Sequence, residues 1–300
     1  MPLASHRLEA FHAVARARSF SAAARELGVT QPALSQRVRL LEDELGRPLL
    51  TRGPGGVAPT EAGRRLLRYC EAQRALEGEL VDDLSPAPGA GFGGSVRVAG
   101  YSSVVRSAVL PALAPLFREH PRLRAEVSVR EMRELPAVLE GGGADFVLID
   151  RAHEAPGLEH EIVGHEELVL VESSLYRARD GVYLDHDPDD QTTLRFLRRR
   201  RALPRRIERS FFDDVYGVLE GVAQGFGRAV VPRHLLAPGL PVRAVPGVRP
   251  ARAPVVLHAR GGGPLPRAHE AARAALARGV AAVLRAAGGG AAGGGAAGGA

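Results

Sequence analysis

The 300-residue chain contains no lysine and no tryptophan, and its single cysteine is Cys70. One thiol excludes an internal disulfide and any zinc site built on several thiolates. All 40 basic residues are arginine, which, beside so much alanine, glycine and proline, indicates a GC-rich genome. The net charge of +6 therefore says little about partners, and only local charge is informative.

Long apolar runs are also missing, and none reaches the ~18–20 residues that a membrane helix needs. Arg7, Arg16 and Arg18 interrupt the segment where a signal peptide would have its apolar core. We therefore expect a cytoplasmic protein with no membrane partner. The chain lacks a nucleophile elbow, a phosphate-binding loop and a paired-carboxylate motif, so we predict no enzyme activity and no cofactor.

Charge divides the N-terminal part of the chain. Residues 1–70 carry eleven arginines against six acids, and residues 71–84 carry one arginine against five acids. A basic unit followed by an acidic helix is typical of a nucleic-acid module joined to a second domain. Residues 85–91 are rich in proline and glycine and predict a hinge. Residues 288–300 contain only glycine and alanine and predict a disordered tail.

Helical spacing dominates residues 1–60. Ser21 can cap a second helix and Thr30 a third, with Pro32 in its first turn. The third helix has a predicted buried stripe of Leu34, Val38, Leu41 and Leu45. Its polar N-terminal end predicts a recognition helix for the major groove, and residues 49–60 predict a hairpin, or wing, with Arg52 at its tip. On pattern alone, a three-helix bundle with a solvated polar face stays open.

Particular residues in this region favour a DNA-binding module over a plain three-helix bundle. The chain resembles the LysR-type transcriptional regulators at Phe11, Leu27, Leu41-Glu42, Leu45-Gly46 and residues 19–24, 29–35, 49–52 and 59–63. The resemblance implies a winged helix-turn-helix over 3–60, a dimerising linker helix over 61–84, a hinge over 85–91 and an effector-binding domain over 92–287. That domain would have two α/β lobes of the periplasmic-binding-protein type, so the fold class is α/β overall.

One departure is Gln36-Arg37, where most of the family has arginine first; this run looks like the branch with lysine- and arginine-responsive activators of amino-acid export. The resemblance implies base contacts from Gln31, Pro32, Ser35 and Gln36, phosphate or minor-groove contacts from Arg37, Arg39 and Arg52, and nearby roles for Ser21 and Thr30. It also implies double-stranded DNA, RNA polymerase and a second copy of the chain as partners, with a dimer or tetramer at a dyad site. The apolar seam Leu66, Tyr69, Leu76 and Leu80 is the predicted subunit contact.

The C-terminal half alternates strands and helices, which indicates open α/β units. Ligands of such units bind where strands end and helices begin. Tyr101, Ser102 and Ser103 follow the first strand, so we predict that they hold the carboxylate of a small effector. Glu131 after the second strand, with Phe212 and Asp213 before a later helix, could meet a ligand ammonium or guanidinium. Simple helix capping by the serines and dipole pairing by the acids stay open.

Three further features have weaker interpretations. The arginine-rich stretch from Arg195 to Arg209 could be a second nucleic-acid surface, although a solvated face is favoured. The pairs at 160–161 and 165–166 have His-Glu chemistry but no spacing suited to a metal site. Cys70 predicts a small buried side chain rather than a redox switch. The competing function is a small-molecule-binding module or enzyme whose N-terminal helices serve only assembly.

Overall fold

A computed structural model of the chain describes residues 4–53, 56–84, 91–199, 206–261 and 265–289. Its N-terminal module consists of α1 (Ser5–Ala17), α2 (Phe20–Glu26), α3 (Gln31–Leu45), β1 (Leu50–Gly53) and β2 (Gly56–Pro59). The three helices and the antiparallel β1–β2 hairpin form a winged helix-turn-helix. No helix of the described residues is long and apolar enough to cross a membrane.

Local signals place the ends of these helices. The Thr30 hydroxyl accepts from the backbone N–H of Ala33 at the start of α3, as predicted. The cap of α2 is Ser19, not Ser21, because the Ser19 side chain accepts from the N–H of Ala22. Ser21 lies exposed within the first turn of α2, so its predicted capping role is wrong.

The predicted stripe of α3 is buried at Leu34, Val38 and Leu41, but Leu45 is 38% exposed. Leu45 is the last residue of the helix and faces a shallow groove beside the next helix. In the wing, Arg52 pairs with Val57 inside the hairpin. It therefore lies in strand β1 rather than at the tip, whose residues 54–55 fall outside the described part.

The linker helix α4 (Glu61–Leu84) begins at a cap formed by Thr60, whose hydroxyl accepts from the N–H of Gly63 at 3.0 Å. Two faces of α4 differ. Cys70 is buried against the helices of the DNA module, so it lies off the seam and has the predicted role of a small buried side chain. Leu76 and Leu80 are 50% and 58% exposed.

The C-terminal half has the elements β3 (Gly94–Gly100), α5 (Ser102–Val104), a π-helical segment (Val105–Val109), α6 (Leu110–Glu119), β4 (Leu123–Val129), α7 (Leu135–Gly141), β5 (Phe146–Ile149), β6 (Leu158–Ser173), β7 (Val182–Asp185), α8 (Thr192–Arg198), β8 (Glu208–Phe211), α9 (Val215–Ala223), β9 (Arg228–Pro232), a 3-10 turn (Arg233–Leu235), β10 (Val242–Ala244), β11 (Ala251–Arg260) and α10 (Arg267–Gly289). Its strands form one sheet in the order β4-β3-β5-β11-β6-β9-β7-β8, with β10 also on β6.

Each lobe has its own apolar core. The first lobe packs β3, β5 and β11 against α6 and α10, and the second packs β7, β9 and part of β6 against α9. The parallel pairs β3–β4, β3–β5, β7–β8 and β7–β9 confirm the predicted α/β class. The lobes are joined by β6 and β11, which pair antiparallel along their length.

Two predicted boundaries change. The apolar run at residues 168–171 predicts a strand from Glu167 that starts the second lobe, but Glu167 lies inside β6, which begins at Leu158 in the first lobe. Polar residues such as His160 and Glu161 interrupt the apolar pattern along β6, so the sequence does not show how long this strand is. At the C-terminus, α10 runs to Gly289 and so includes two residues of the predicted tail; residues 290–300 and 85–90 lie outside the described residues.

Candidate functional site

The first candidate surface is the N-terminal end of α3. On α3, Gln31, Pro32, Gln36 and Arg39 are exposed, and Ser35 and Arg37 are half-buried. Thr30 lies at the helix N-terminus as its cap. This arrangement leaves amide, hydroxyl and guanidinium groups available to base edges and phosphates, which is how a recognition helix reads a major groove.

Contacts to α3 and to α2 hold the wing beside the recognition helix. The Glu42 carboxylate of α3 accepts from the backbone N–H groups of Leu49 (2.7 Å) and Leu50 (3.1 Å), where the hairpin begins. Arg52 is exposed, and its guanidinium carbon lies 4.9 Å from the centre of the Phe20 ring. A cation–π contact of this kind orients the guanidinium while leaving its N–H groups free for phosphate oxygens.

The second candidate site is a cleft of about 770 Å³ between the two lobes. Tyr101, Ser102, Ser103, Glu131 and Asp213 all line it, so the topology brings together five of the six residues predicted to contact the effector. Phe212 is the exception and is not among the lining residues: it packs in the second lobe with its ring centre 6.2 Å from that of Phe226.

The serines lie at a helix N-terminus. Ser102 opens α5, which continues through the π-helical segment into α6 without a break. The first N–H groups of such a helix have no acceptor within it and attract an anion. Ser103 is buried at the cleft, and its carbonyl accepts from the Ser107 hydroxyl at 2.6 Å.

A buried polar chain begins at this point and crosses to the second lobe. The Ser107 hydroxyl lies 2.7 Å from Nδ1 of His234, whose Nε2 lies 3.1 Å from the Glu166 carboxylate. Glu166 also lines the cleft, beside the Tyr101 hydroxyl. Burial and the charges of Glu166 and Asp150 raise the pKa of Tyr101 well above its usual value, so this hydroxyl keeps its proton and can donate to a ligand.

The cleft as a whole is acidic. Nine carboxylates and six arginines line it, and that excess favours a ligand that carries positive charge. Sequence reasoning did not place seven acidic or histidine side chains in the cleft, namely Asp150, Glu166, Asp185, His186, Asp187, Asp189 and Asp190. Asp214, which follows Phe212 and Asp213 in the acidic run predicted to face a ligand cation, does line the cleft. The signal for several was present, because Asp185 and His186 directly follow the short apolar run of β7.

Comparison with known proteins decides the family. The family model described as "Bacterial regulatory helix-turn-helix protein, lysR family" matches residues 5–64, and the LysR substrate binding domain matches residues 89–281. The chain belongs to the LysR family. It is therefore a DNA-binding, effector-responsive transcriptional regulator, and the alternative of N-terminal helices that serve only assembly is removed.

Relatives that match most of the chain agree with this family assignment. AbaB of Streptomyces antibioticus, a transcriptional regulator, is 32% identical over 88% of this chain and 95% of its own length. The probable regulator LrrA of Synechococcus elongatus is 28% identical over 77% of this chain and 81% of its own. The solved structure of LysG from Corynebacterium glutamicum with bound effector arginine has a TM-score of 0.71 and 18% identity, covering 93% of this chain and 98% of LysG. These relatives are named as regulators, not as enzymes.

In this LysR-family chain, the described arginines of the arginine-rich stretch have separate surroundings. Arg195 and Arg199 line the cleft, and Arg209 forms an ion pair with the buried Asp185. Burial raises the pKa of Asp185, against the opposing effect of Arg209. Residues 200, 201 and 205 lie outside the described part of the chain.

The two halves meet at a compact ion network. Arg97 of β3 contacts Asp145 at 2.7 Å and Glu71 of α4 at 3.0 Å, and His269 of α10 lies 3.2 Å from Asp145. Despite the opposing effect of burial, hydrogen bonds and charges from His269 and Arg97 lower the pKa of Asp145 to about 2. The linker helix is thereby bonded to the first lobe of the effector domain.

The His-Glu pairs singled out in the sequence do not converge. His160 and His165 are exposed on β6, whereas Glu166 is buried on its cleft side. Glu161 instead lies 3.5 Å from Arg273. Within the described ranges these four residues form no group that could hold a metal ion.

Proposed function

We propose that the protein binds promoter DNA as a homo-oligomer and that an amino-acid-like ligand, with a carboxylate and a cationic group, controls it from the cleft. Gln31, Pro32, Ser35 and Gln36 would meet base edges, and Arg37, Arg39 and Arg52 would meet phosphates or the minor groove. Such a regulator works in the cytoplasm, where bacterial DNA lies, and a promoter-bound oligomer has RNA polymerase as its natural further partner.

The oligomer is supported by the free face of α4. Tyr69, Leu76 and Leu80 share one side of this helix and are at least half exposed. Leu66 starts the same row, although it is partly buried against the DNA module. A row of apolar side chains on a charged helix is stabilised when a second copy covers it.

The observation that carries the ligand proposal is the polarity of the cleft. One end offers the helix N-terminus at Ser102 and Ser103 to a carboxylate, and the surrounding walls hold more carboxylates than arginines. An amino acid with a cationic side chain matches both ends. LysG, which was solved with bound effector arginine, shares the fold, and this agrees with the same ligand class.

Calorimetry on the full-length protein tests the ligand proposal. Arginine and lysine should bind, whereas agmatine, which lacks only the carboxylate of arginine, should bind at least tenfold more weakly because it leaves the helix N-terminus without an anion. The Ser102→Ala/Ser103→Ala variant should lose the advantage of arginine over agmatine while still shifting promoter DNA.

Ser174→Ala is the matched control, since Ser174 is exposed and does not line the cleft. This variant should bind as the unaltered protein does. Equal affinity of the double variant and the unaltered protein for arginine would show that the serine hydroxyls do not hold the carboxylate.

A further inference from the structure

We propose that the cleft holds a divalent transition-metal ion between Glu131 of the first lobe and His186 and Asp187 of the second. Each residue offers one ligand atom, and the three atoms lie within 4.8 Å of one another. No other group of three His, Cys, Asp or Glu side chains in the described residues meets this condition. The site concerns a metal ion and does not depend on the identity of the organic effector.

The distances fit coordination better than direct hydrogen bonding. Nε2 of His186 lies 3.3 Å from both carboxylate oxygens of Glu131 and 3.9 Å from Oδ2 of Asp187. A charge-assisted hydrogen bond between such groups is about 2.7–2.9 Å long. Ligand atoms about 2.1 Å from one ion are instead about 3.0–3.4 Å apart, so a small inward movement of Asp187 completes the set.

Hydrogen bonds around the proposed site hold the Asp187 side chain and its loop in position. Oδ1 of Asp187 accepts from the N–H groups of Asp189 (2.6 Å) and Asp190 (2.8 Å), which turns Oδ2 towards His186. Arg209 donates to the carbonyls of Asp187 and Pro188 and so anchors the loop that carries them. Supporting bonds of this kind orient metal ligands and raise their affinity.

The charge balance also calls for a cation. Two carboxylates face one imidazole, so the group is negative whether or not His186 is protonated. Two neighbouring arginines already have anionic partners: Arg133 lies 3.2 Å from Asp189, and Arg209 pairs with Asp185. One imidazole nitrogen with two carboxylate oxygens suits Zn²⁺, Co²⁺ or Ni²⁺, and three protein ligands leave a coordination position open to the cleft.

Because the ligands come from both lobes, a bound ion would link the lobes directly. Glu131 follows β4 in the first lobe, and His186 and Asp187 follow β7 in the second. An ion that binds all three stabilises the closed arrangement by its differential affinity for that arrangement. Metal and effector would then act on the same lobe movement.

The test uses full-length protein freed of metal with a chelator and then titrated with Zn²⁺ or Co²⁺ alone, without organic ligand. We expect one ion per chain and, with Co²⁺, the visible absorption of a site of low coordination number. His186→Gln and Glu131→Gln should each weaken binding about tenfold or more. His165→Gln, an exposed histidine outside the cleft, should leave it unchanged.

Shift of promoter DNA by each variant verifies that it is folded. Absence of binding up to millimolar Zn²⁺, or unaltered affinity in His186→Gln, would overturn the site. Loss in His186→Gln without loss in Glu131→Gln would overturn the link between lobes. Because these readouts need no amino acid, they stand or fall separately from the test on Ser102 and Ser103.

Discussion

The DNA-binding half and the effector half both present polar groups to a partner, but they assemble them differently. In the first, the predicted contacts from Gln31 to Arg39 lie within one helix, and its cap and buried stripe are set by neighbours in sequence. In the second, the cleft draws on residues from Tyr101 to Pro254. Local sequence therefore encodes the first surface, whereas the path of the chain through one sheet encodes the second.

This difference predicts which activity a substitution in each half should change. A substitution on α3 should alter DNA binding alone, and one in the cleft should alter ligand binding alone. The linker helix α4 and the Arg97 network belong to both halves, since Glu71 bonds to Arg97. Four substitutions sharpen this comparison.

The largest effect is expected from Leu80→Asp. A charge buried without a partner in the proposed subunit contact costs about 3–5 kcal/mol, so the oligomer should dissociate at micromolar concentration. Promoter affinity should fall because two recognition helices no longer act together, while calorimetric ligand binding stays unchanged. Sedimentation measures the oligomer, and Val81→Asp, exposed on another side of α4, is the control. An unchanged oligomer in Leu80→Asp would contradict the seam.

An intermediate effect is expected from Asp145→Asn, at the junction of the halves. The pKa of Asp145 is about 2 in the folded chain, against 3.8 for a free side chain. The ionised carboxylate thus contributes about 2 kcal/mol of stability, fully present above about pH 4 and lost as pH falls towards 2. Asp145→Asn should lower the free energy of unfolding by about that amount at pH 7, measured by urea unfolding.

The exposed Asp180 provides the control, and Asp180→Asn should leave the urea midpoint in place. If Asp145→Asn also leaves it in place, the network does not stabilise the junction, and the halves are more independent than their contacts indicate.

The smallest effect is expected from Gln31→Ala, which should reduce affinity for the cognate site by about 1–2 kcal/mol and hardly change binding to random DNA. Arg52→Ala should instead weaken binding to every sequence and flatten its salt dependence, because a phosphate contact releases counterions. Titrations of both DNAs at several salt concentrations separate the two. Equal losses for Gln31→Ala on both would contradict base reading.

Most of the fold could be predicted because its signals are short-range. Thr30, for example, caps α3 as its position in the sequence predicts. Two features could not be predicted: the register of β6 and the position of its residue Glu166 at the cleft. Both depend on pairing with β11, about ninety residues away in the chain. The burial of Cys70, while Leu76 on a different side of α4 stays exposed, likewise depends on how α4 lies against the DNA module.

The two strands shared by both lobes have a mechanical consequence. β6 and β11 run through both lobes, and their register shifts between Val255 and Val256, an irregularity of the kind that bends a strand locally. Closing the two lobes must bend both strands together. A ligand therefore has to contact both lobes to hold them closed. A molecule that fills the cleft but contacts one lobe alone would occupy the effector site without closing the lobes, and would act as an antagonist.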